Sequence, residues 1–235
     1  MDPLEAARHW RHRDTALAYA RAAAQVGLWE SERLLAGRHL PREGRILELG
    51  CGAARVALGL WRDGWKEVVP TDLSPEMVGI AEGVLAEAGC PFRPLVADAT
   101  DLPFGPASFD GAVFAFNGLM CIPGRERRAR ALAEIRRVLR PGSPLLLTAH
   151  DRLTGPNRAH WLAATAPPGG ELGDRWHETD SGPVFIHAST EAECRGELEA
   201  AGFAVALSAM RSELAEEPPA VRAFSDDTRW FVALA

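Results

Sequence analysis

The sequence predicts an α/β fold: a doubly wound seven-stranded, mostly parallel sheet with an antiparallel last strand and an N-terminal helical cover. Three observations carry that prediction. From Arg45 to Ala149 short apolar runs alternate with helix-length amphipathic stretches, a pattern that builds parallel strands joined by right-handed crossover helices. The first run leads directly into a glycine turn, Gly50-Cys51-Gly52, and then a helix. The 235 residues, 47% hydrophobic and 25% charged, suffice for one large domain with both sheet faces covered.

Residues 1–42 read as the cover, two helices or one bent helix. Trp10, Leu17, Val26, Leu28, Trp29, Leu34 and Leu35 fall at mixed helical spacings, broken at Gly27 and ended near Gly37 and Pro41. Arg45–Leu49 is the first strand, and Ala53–Trp61 a helix that contains Val56, Leu58 and Leu60. Glu67–Thr71 is the second strand. Pro75–Ala88 follows as a helix, because Ser74 offers an N-cap hydroxyl and Pro75 stands where a missing N–H costs nothing. Phe92–Val96 and Phe109–Phe116 supply strands three and four, Arg125–Leu139 a helix stopped by Arg140-Pro141-Gly142, and Leu145–Ala149 strand five. After His150 the pattern loosens. Pro167 to Pro183 is polar and rich in Gly and Pro, hence a loop, and Val184–Ala188 an extra strand. Thr190–Ala201 is a helix capped by Gly202, with Phe203–Met210 and Thr228–Leu234 as a closing antiparallel hairpin. Residues 43–150 form the ligand-binding core and 151–235 an insertion plus the closing strands.

A net charge of −6, with Lys66 the sole lysine, disfavours a nucleic-acid partner held through its phosphates. Cys51, Cys90, Cys121 and Cys194 lie too far apart for a zinc or disulfide pattern, and His9, His12 and Asp14 read as a solvated face, so no metal is expected. No run approaches the ~18 apolar residues of a membrane span, and the cytoplasm is the expected address.

The chemistry concentrates at strand ends. In Glu48-Leu49-Gly50-Cys51-Gly52-Ala53-Ala54-Arg55 the missing Cβ atoms let a ligand lie on the backbone, and the helix N-terminus presents free N–H groups. A dinucleotide fingerprint would need a small residue where Arg55 stands, which argues against a nicotinamide oxidoreductase. Asp72 ends the second strand about 20 residues beyond the glycines, where a carboxylate accepts from two ribose hydroxyls. Asp98 follows the third strand in Ala97-Asp98-Ala99-Thr100-Asp101-Leu102-Pro103-Phe104.

Together these segments resemble the class I (Rossmann-like) methyltransferases. Their first motif, E/D-x-G-x-G-x-G, is met by Glu48, Gly50 and Gly52, with Ala54 replacing the third glycine. The Asp98 segment resembles their adenine turn D-A-x-x-L-P-F. Ser108-Phe109-Asp110, Phe116-Asn117-Gly118 and Arg137-Val138-Leu139-Arg140-Pro141-Gly142 have counterparts in the same order. The resemblance implies S-adenosyl-L-methionine as cofactor: Glu48 for its ammonium group, Gly50, Cys51 and Gly52 around the methionine half, Asp72 and Leu73 at the ribose, Asp98 and Ala99 at the adenine. It further implies a methyltransferase acting on a small-molecule acceptor, with Asn117, beside the donor methyl, and His150 facing the acceptor from the exits of strands four and five. His150 is the candidate base and Asn117 its orienting partner, with His187 a weaker third. Trp161 and Trp176 are the expected pocket aromatics, while Glu216-Glu217 and Asp226-Asp227 read as solvated turns. Nucleic-acid methylation lacks support, there being no Asn-Pro-Pro-aromatic tetrad and no lysine stripe. A non-catalytic adenosine-ligand scaffold would carry the same donor motifs.

Overall fold

The computed structural model describes residues 26–155, 158–177 and 183–235. The part of the expected cover that holds His9, Trp10, His12, Asp14 and Leu17 lies outside the described residues. Strands β1 (Arg45–Leu49), β2 (Glu67–Asp72), β3 (Leu95–Val96), β4 (Gly111–Phe114), β5 (Pro144–Ala149), β8 (Ala204–Met210) and β9 (Arg229–Leu234) form one sheet in the order β3-β2-β1-β4-β5-β9-β8. The first five are parallel, and β9 runs antiparallel between β5 and β8. The chain therefore winds outward from β1 in one direction and from β4 in the other. Their diverging exits leave the crevice that such sheets use for ligands.

Side chains alternate between two covered faces, as a sheet buried on both sides requires. Leu47, Leu49, Leu145, Leu147 and Phe231 face one layer, with helices α4 (Arg125–Val138) and α6 (Glu191–Ala200). Ile46, Val68, Leu146, Trp230 and Val232 face the other, with α1 (Glu30–His39), α2 (Arg55–Arg62) and α3 (Pro75–Glu87). Ser74 caps α3 as expected, its hydroxyl accepting from Met77 N at 3.2 Å.

Four expectations need correction. Strand three shrinks from Phe92–Val96 to Leu95–Val96, because Pro91 and Pro94 have no N–H to give the ladder. Strand four stops at Phe114, since Phe116 and Asn117 turn into the left-handed region at φ 53° and 61°. The stretch read as a loop carries β6 (Asp174–His177), which pairs antiparallel with β7 (Val184–His187) in a separate two-stranded sheet. The expected hairpin is split by α7 (Arg211–Leu214) and α8 (Pro219–Phe224), although β8 and β9 still pair. A further short helix, α5 (Arg158–Ala163), precedes β6.

Candidate active site

The β1 exit turns through Gly50 (φ 60°), Gly52 (φ 52°) and Ala54 (φ 62°), three alternate residues in a conformation that costs a side chain but not glycine. Cys51 N holds the loop to Thr71 O at 2.9 Å. Over the loop opens a cleft at the sheet's switch point, lined from β1 to β3 by Glu48, Gly50, Cys51, Gly52, Asp72, Leu73, Asp98 and Ala99. Eight of the nine residues expected at the donor thus share one cavity.

Glu48 is 3% exposed, and its Oε2 has no hydrogen-bond partner. Burial pushes its carboxyl up to about 8, against the pull of Arg55. A buried acceptor left open in a cleft calls for a cationic or N–H-bearing ligand atom. Asp72 sits at the next strand's end. Its Oδ2 accepts from Gly52 N at 2.9 Å and its Oδ1 from Ser74 N at 2.9 Å, so it fixes the glycine loop. Burial raises its pKa, and those backbone donors hold it back. A carboxylate has about four acceptor positions, which leaves two for vicinal hydroxyls.

Asp98 folds its own turn: Oδ1 accepts from Thr100 N and Thr100 Oγ1, each at 2.8 Å, and Oδ2 lies 3.6 Å from Arg127. Glu134 and Arg137 of α4 clamp the same turn from behind. Leu102 N donates to Glu134 Oε2 at 2.9 Å, and Arg137 donates to Phe104 O at 2.7 Å and to Leu102 O at 3.1 Å. The helix-end motif that resembled the family's is thus a brace for the Asp98 loop.

Asn117 and His150 meet each other. Asn117 Nδ2 and His150 Nε2 are 3.1 Å apart, and Asn117 N donates to Thr148 Oγ1 at 2.7 Å. The cleft wall at this strand exit is made by Phe116 and Gly118 on either side of Asn117, and neither Asn117 nor His150 belongs to the lining. The other acceptor-side candidates lie elsewhere. His187 Nδ1 pairs with Asp174 Oδ1 at 2.8 Å within an ion cluster that includes Arg128 and Glu171; burial, then Arg128, lowers its pKa. Trp161 packs under Arg175 and Trp176 against Phe185, both at the small sheet and outside the cleft lining.

Other residues take those places. Arg55 lines the cleft and forms a two-point ion pair with Glu32, each contact 2.5 Å, while lying 4.6 Å over the Trp29 ring. Phe224 of α8 reaches the same cleft. Glu217, expected in a solvated turn, is 4% exposed and caps α1, accepting from Glu30 N at 2.9 Å and Ser31 N at 3.0 Å. No local sequence pattern marks Phe224 or Glu217, because their partners lie near residue 30 and at the β4 exit. Arg55 stood in the sequence as a misfit to another motif, and its partner Glu32 lies in a different helix.

A doubly wound sheet with acidic side chains at successive strand exits around a glycine loop defines a binder of an adenosine-bearing small molecule. Residues 46–142 match the family model of the methyltransferase domain. That segment carries the methyltransferase domain, and the sheet order is the class I arrangement. An O-methyltransferase, cnsE, of Penicillium expansum is 36% identical over 137 residues, 54% of this chain and 48% of that protein. A malonyl-[acyl-carrier protein] O-methyltransferase of Serratia marcescens is 31% identical over 160 residues, 68% and 53% of the two chains. The chain spans about half the length of these curated relatives or less. Among solved structures, a SAM-dependent methyltransferase of Methanosarcina mazei superposes with a TM-score of 0.69 at 22% identity, covering 85% of this chain and 96% of that one. The fold is also that of a Burkholderia thailandensis 1,6-didemethyltoxoflavin-N1-methyltransferase with bound S-adenosylhomocysteine, with a TM-score of 0.62 at 19% identity and coverage of 100% and 90%.

Proposed function

We propose that this chain transfers the methyl group of S-adenosylmethionine to a small-molecule acceptor. The single observation behind this reading is the unpartnered, buried Glu48 Oε2 beside a glycine loop that Asp72 holds through Gly52 N. When bound, the cofactor supplies an electrophilic sulfonium methyl. Glu48 would take its ammonium group, Gly50, Cys51 and Gly52 its methionine backbone, and Asp72 with Leu73 its ribose. Asp98 and the Ala99 N–H would take the adenine edge. Methyl displacement is in line, so the protein's work is alignment and exclusion of water, and the apolar wall of Phe116 and Phe224 serves the second. His150, which stands behind the cleft lining with its Nε2 3.1 Å from Asn117 Nδ2, is the proposed base for a proton-bearing acceptor that reaches past Phe116 and Gly118 and takes the place of that amide contact.

A small acceptor is favoured over nucleic acid by the net charge of −6 and the largely apolar cleft. None of the described helices is long and apolar enough to cross a membrane. The names of two relatives point the same way, malonyl-[acyl-carrier protein] O-methyltransferase and ubiquinone/menaquinone biosynthesis C-methyltransferase. Calorimetry tests the donor reading. S-adenosylmethionine and S-adenosylhomocysteine should bind at micromolar levels, roughly −8 kcal/mol, and NADH should not. Binding of NADH with neither donor would end it. Conversion of donor to S-adenosylhomocysteine with an acceptor then separates enzyme from scaffold.

A further inference from the structure

Three aromatic rings from distant parts of the chain meet on the side of the cleft beyond the β4 exit. Phe116 and Phe224 line it and stack on each other, ring centroids 5.4 Å apart and planes 17° from parallel. Trp29 meets both edge-on, at 5.7 Å and 6.5 Å, each at 81°. We propose that this wall is the acceptor subsite and that it selects a planar aromatic acceptor, a reading that rests on the donor assignment above.

The rings are fixed in orientation. Trp29 wedges the pair from the side, and α8, which carries Phe224, follows directly on Glu217, the cap of α1. Phe116 is held at φ 53° and Asn117 at φ 61°, two successive side-chain-bearing residues in the left-handed region. The Asn117 N–H to Thr148 Oγ1 bond supports that turn. Parallel rings whose tilt is set before a ligand arrives favour another flat ring, because offset stacking adds to the gain from burial alone.

Charge does not compete with that preference. The two guanidinium groups near Trp29 are matched, Arg55 by Glu32 and Arg211 by Ser225 O at 2.9 Å with Asp227 3.8 Å away. Among the described residues each cation at this face thus has an acidic group within 4 Å, as has Arg127 further along the lining, with Asp98 at 3.6 Å. The cleft runs on past the donor residues, where Phe116, Ile122, Pro123 and Phe224 line it as well. The donor residues Glu48, Asp72 and Asp98 occupy the β1 to β3 side, which leaves the aromatic side for the acceptor.

The test uses the full chain saturated with S-adenosylhomocysteine, titrated with 2-naphthol and with its saturated counterpart decahydro-2-naphthol. The two probes have the same carbon skeleton and hydroxyl, and differ in planarity and π-face. The aromatic probe should bind about fivefold more tightly, the size of one stacking contact. Phe224→Leu should erase the difference and Phe224→Trp keep it, with S-adenosylhomocysteine affinity within twofold of the parent in both. Equal affinities in the parent, no binding of 2-naphthol at millimolar concentration, or a preference that survives Phe224→Leu would overturn the proposal. Failure of S-adenosylhomocysteine to bind would show in the first titration, and would overturn the donor reading before a probe is added.

Discussion

The donor side and the aromatic wall of one cleft are built in opposite ways. Glu48, Asp72 and Asp98 each sit where a strand ends and a turn begins, so a few contiguous residues fix both the backbone and the proposed donor contact. The wall takes Trp29 from before α1, Phe116 from the β4 exit and Phe224 from α8, and no stretch of sequence holds two of them. A site made of turns writes itself into short motifs. A site made by packing across the chain leaves only isolated aromatic residues, indistinguishable from core.

The contrast breaks first at Arg55. This cleft residue of the donor loop's helix is held by Glu32 of α1, so the local site leans on a distant element. The pair is nearly buried, with side chains 11% and 3% exposed. Removing one member of a buried pair leaves the other charge uncompensated, at a cost of about 3–5 kcal/mol. Glu32→Gln, which also weakens the carboxylate cap on Trp29 N, should lower unfolding free energy by about 3 kcal/mol in urea titrations. An unchanged midpoint would mean that the cover and the donor loop are energetically separate.

Next in size, Asp72→Ala should weaken S-adenosylhomocysteine binding by about 1.5–3 kcal/mol, the range for hydrogen bonds to a charged group. It also strips Gly52 N and Ser74 N of their partner, so calorimetry on Asp72→Asn, which keeps one acceptor oxygen, isolates the ligand's share. Asp98→Asn should cost less, because Asp98 Oδ1 already serves Thr100. Parent-like affinity in Asp72→Ala would put the ribose elsewhere.

These variants probe what the sequence made legible. The strand-turn-helix units from Arg45 to Ala149 could be read because glycine, proline and capping residues mark their ends, as at Ser74-Pro75. Boundaries slipped where a second influence acted: prolines trimmed β3, and the left-handed turn at Phe116 cut β4 short. Beyond His150 the reading failed for a different reason. The four-residue strand β6 is too short to show a period, and Trp161 and Trp176, conspicuous in sequence, pack around the small sheet. Glu217 looked like a surface acid, and only the approach of α1 explains its burial.

A smaller effect comes from pH. Burial lifts the Glu48 carboxyl from 4.5 to about 8, so between those values the folded protein keeps a proton that the unfolded chain has released. Through this group stability falls as pH rises across that window and levels off above it. A bound ammonium reverses the preference, so S-adenosylhomocysteine binding should tighten from pH 6.5 toward 8 and release up to one proton. Calorimetry at one pH in two buffers of different ionisation enthalpy reads the proton directly. Glu48→Gln should abolish the release; if the release persists there, it belongs to another group, with Asp72 the next to test.

The smallest effect belongs to Ala54, the one departure from the glycine pattern. At φ 62° and ψ 30° it sits where an L-residue pays roughly 1–2 kcal/mol that glycine would not. Glycine, however, gives up roughly 0.5–1 kcal/mol more backbone entropy on folding. It would also lose a methyl group that is wholly buried among Leu28, Ala57 and Leu60, worth about 0.8 kcal/mol. The two costs nearly cancel the gain. Ala54→Gly should therefore shift unfolding free energy by less than about 0.5 kcal/mol and leave donor affinity unchanged. Ala54→Val, β-branched in a left-handed turn, should destabilise by more than about 2 kcal/mol. A gain above about 1 kcal/mol for Ala54→Gly would show that backbone strain outweighs packing, and an equal loss would show the reverse. Near-neutrality would explain why the loop keeps its shape with two glycines: the third position needs the left-handed turn, and a buried methyl group there offsets the strain.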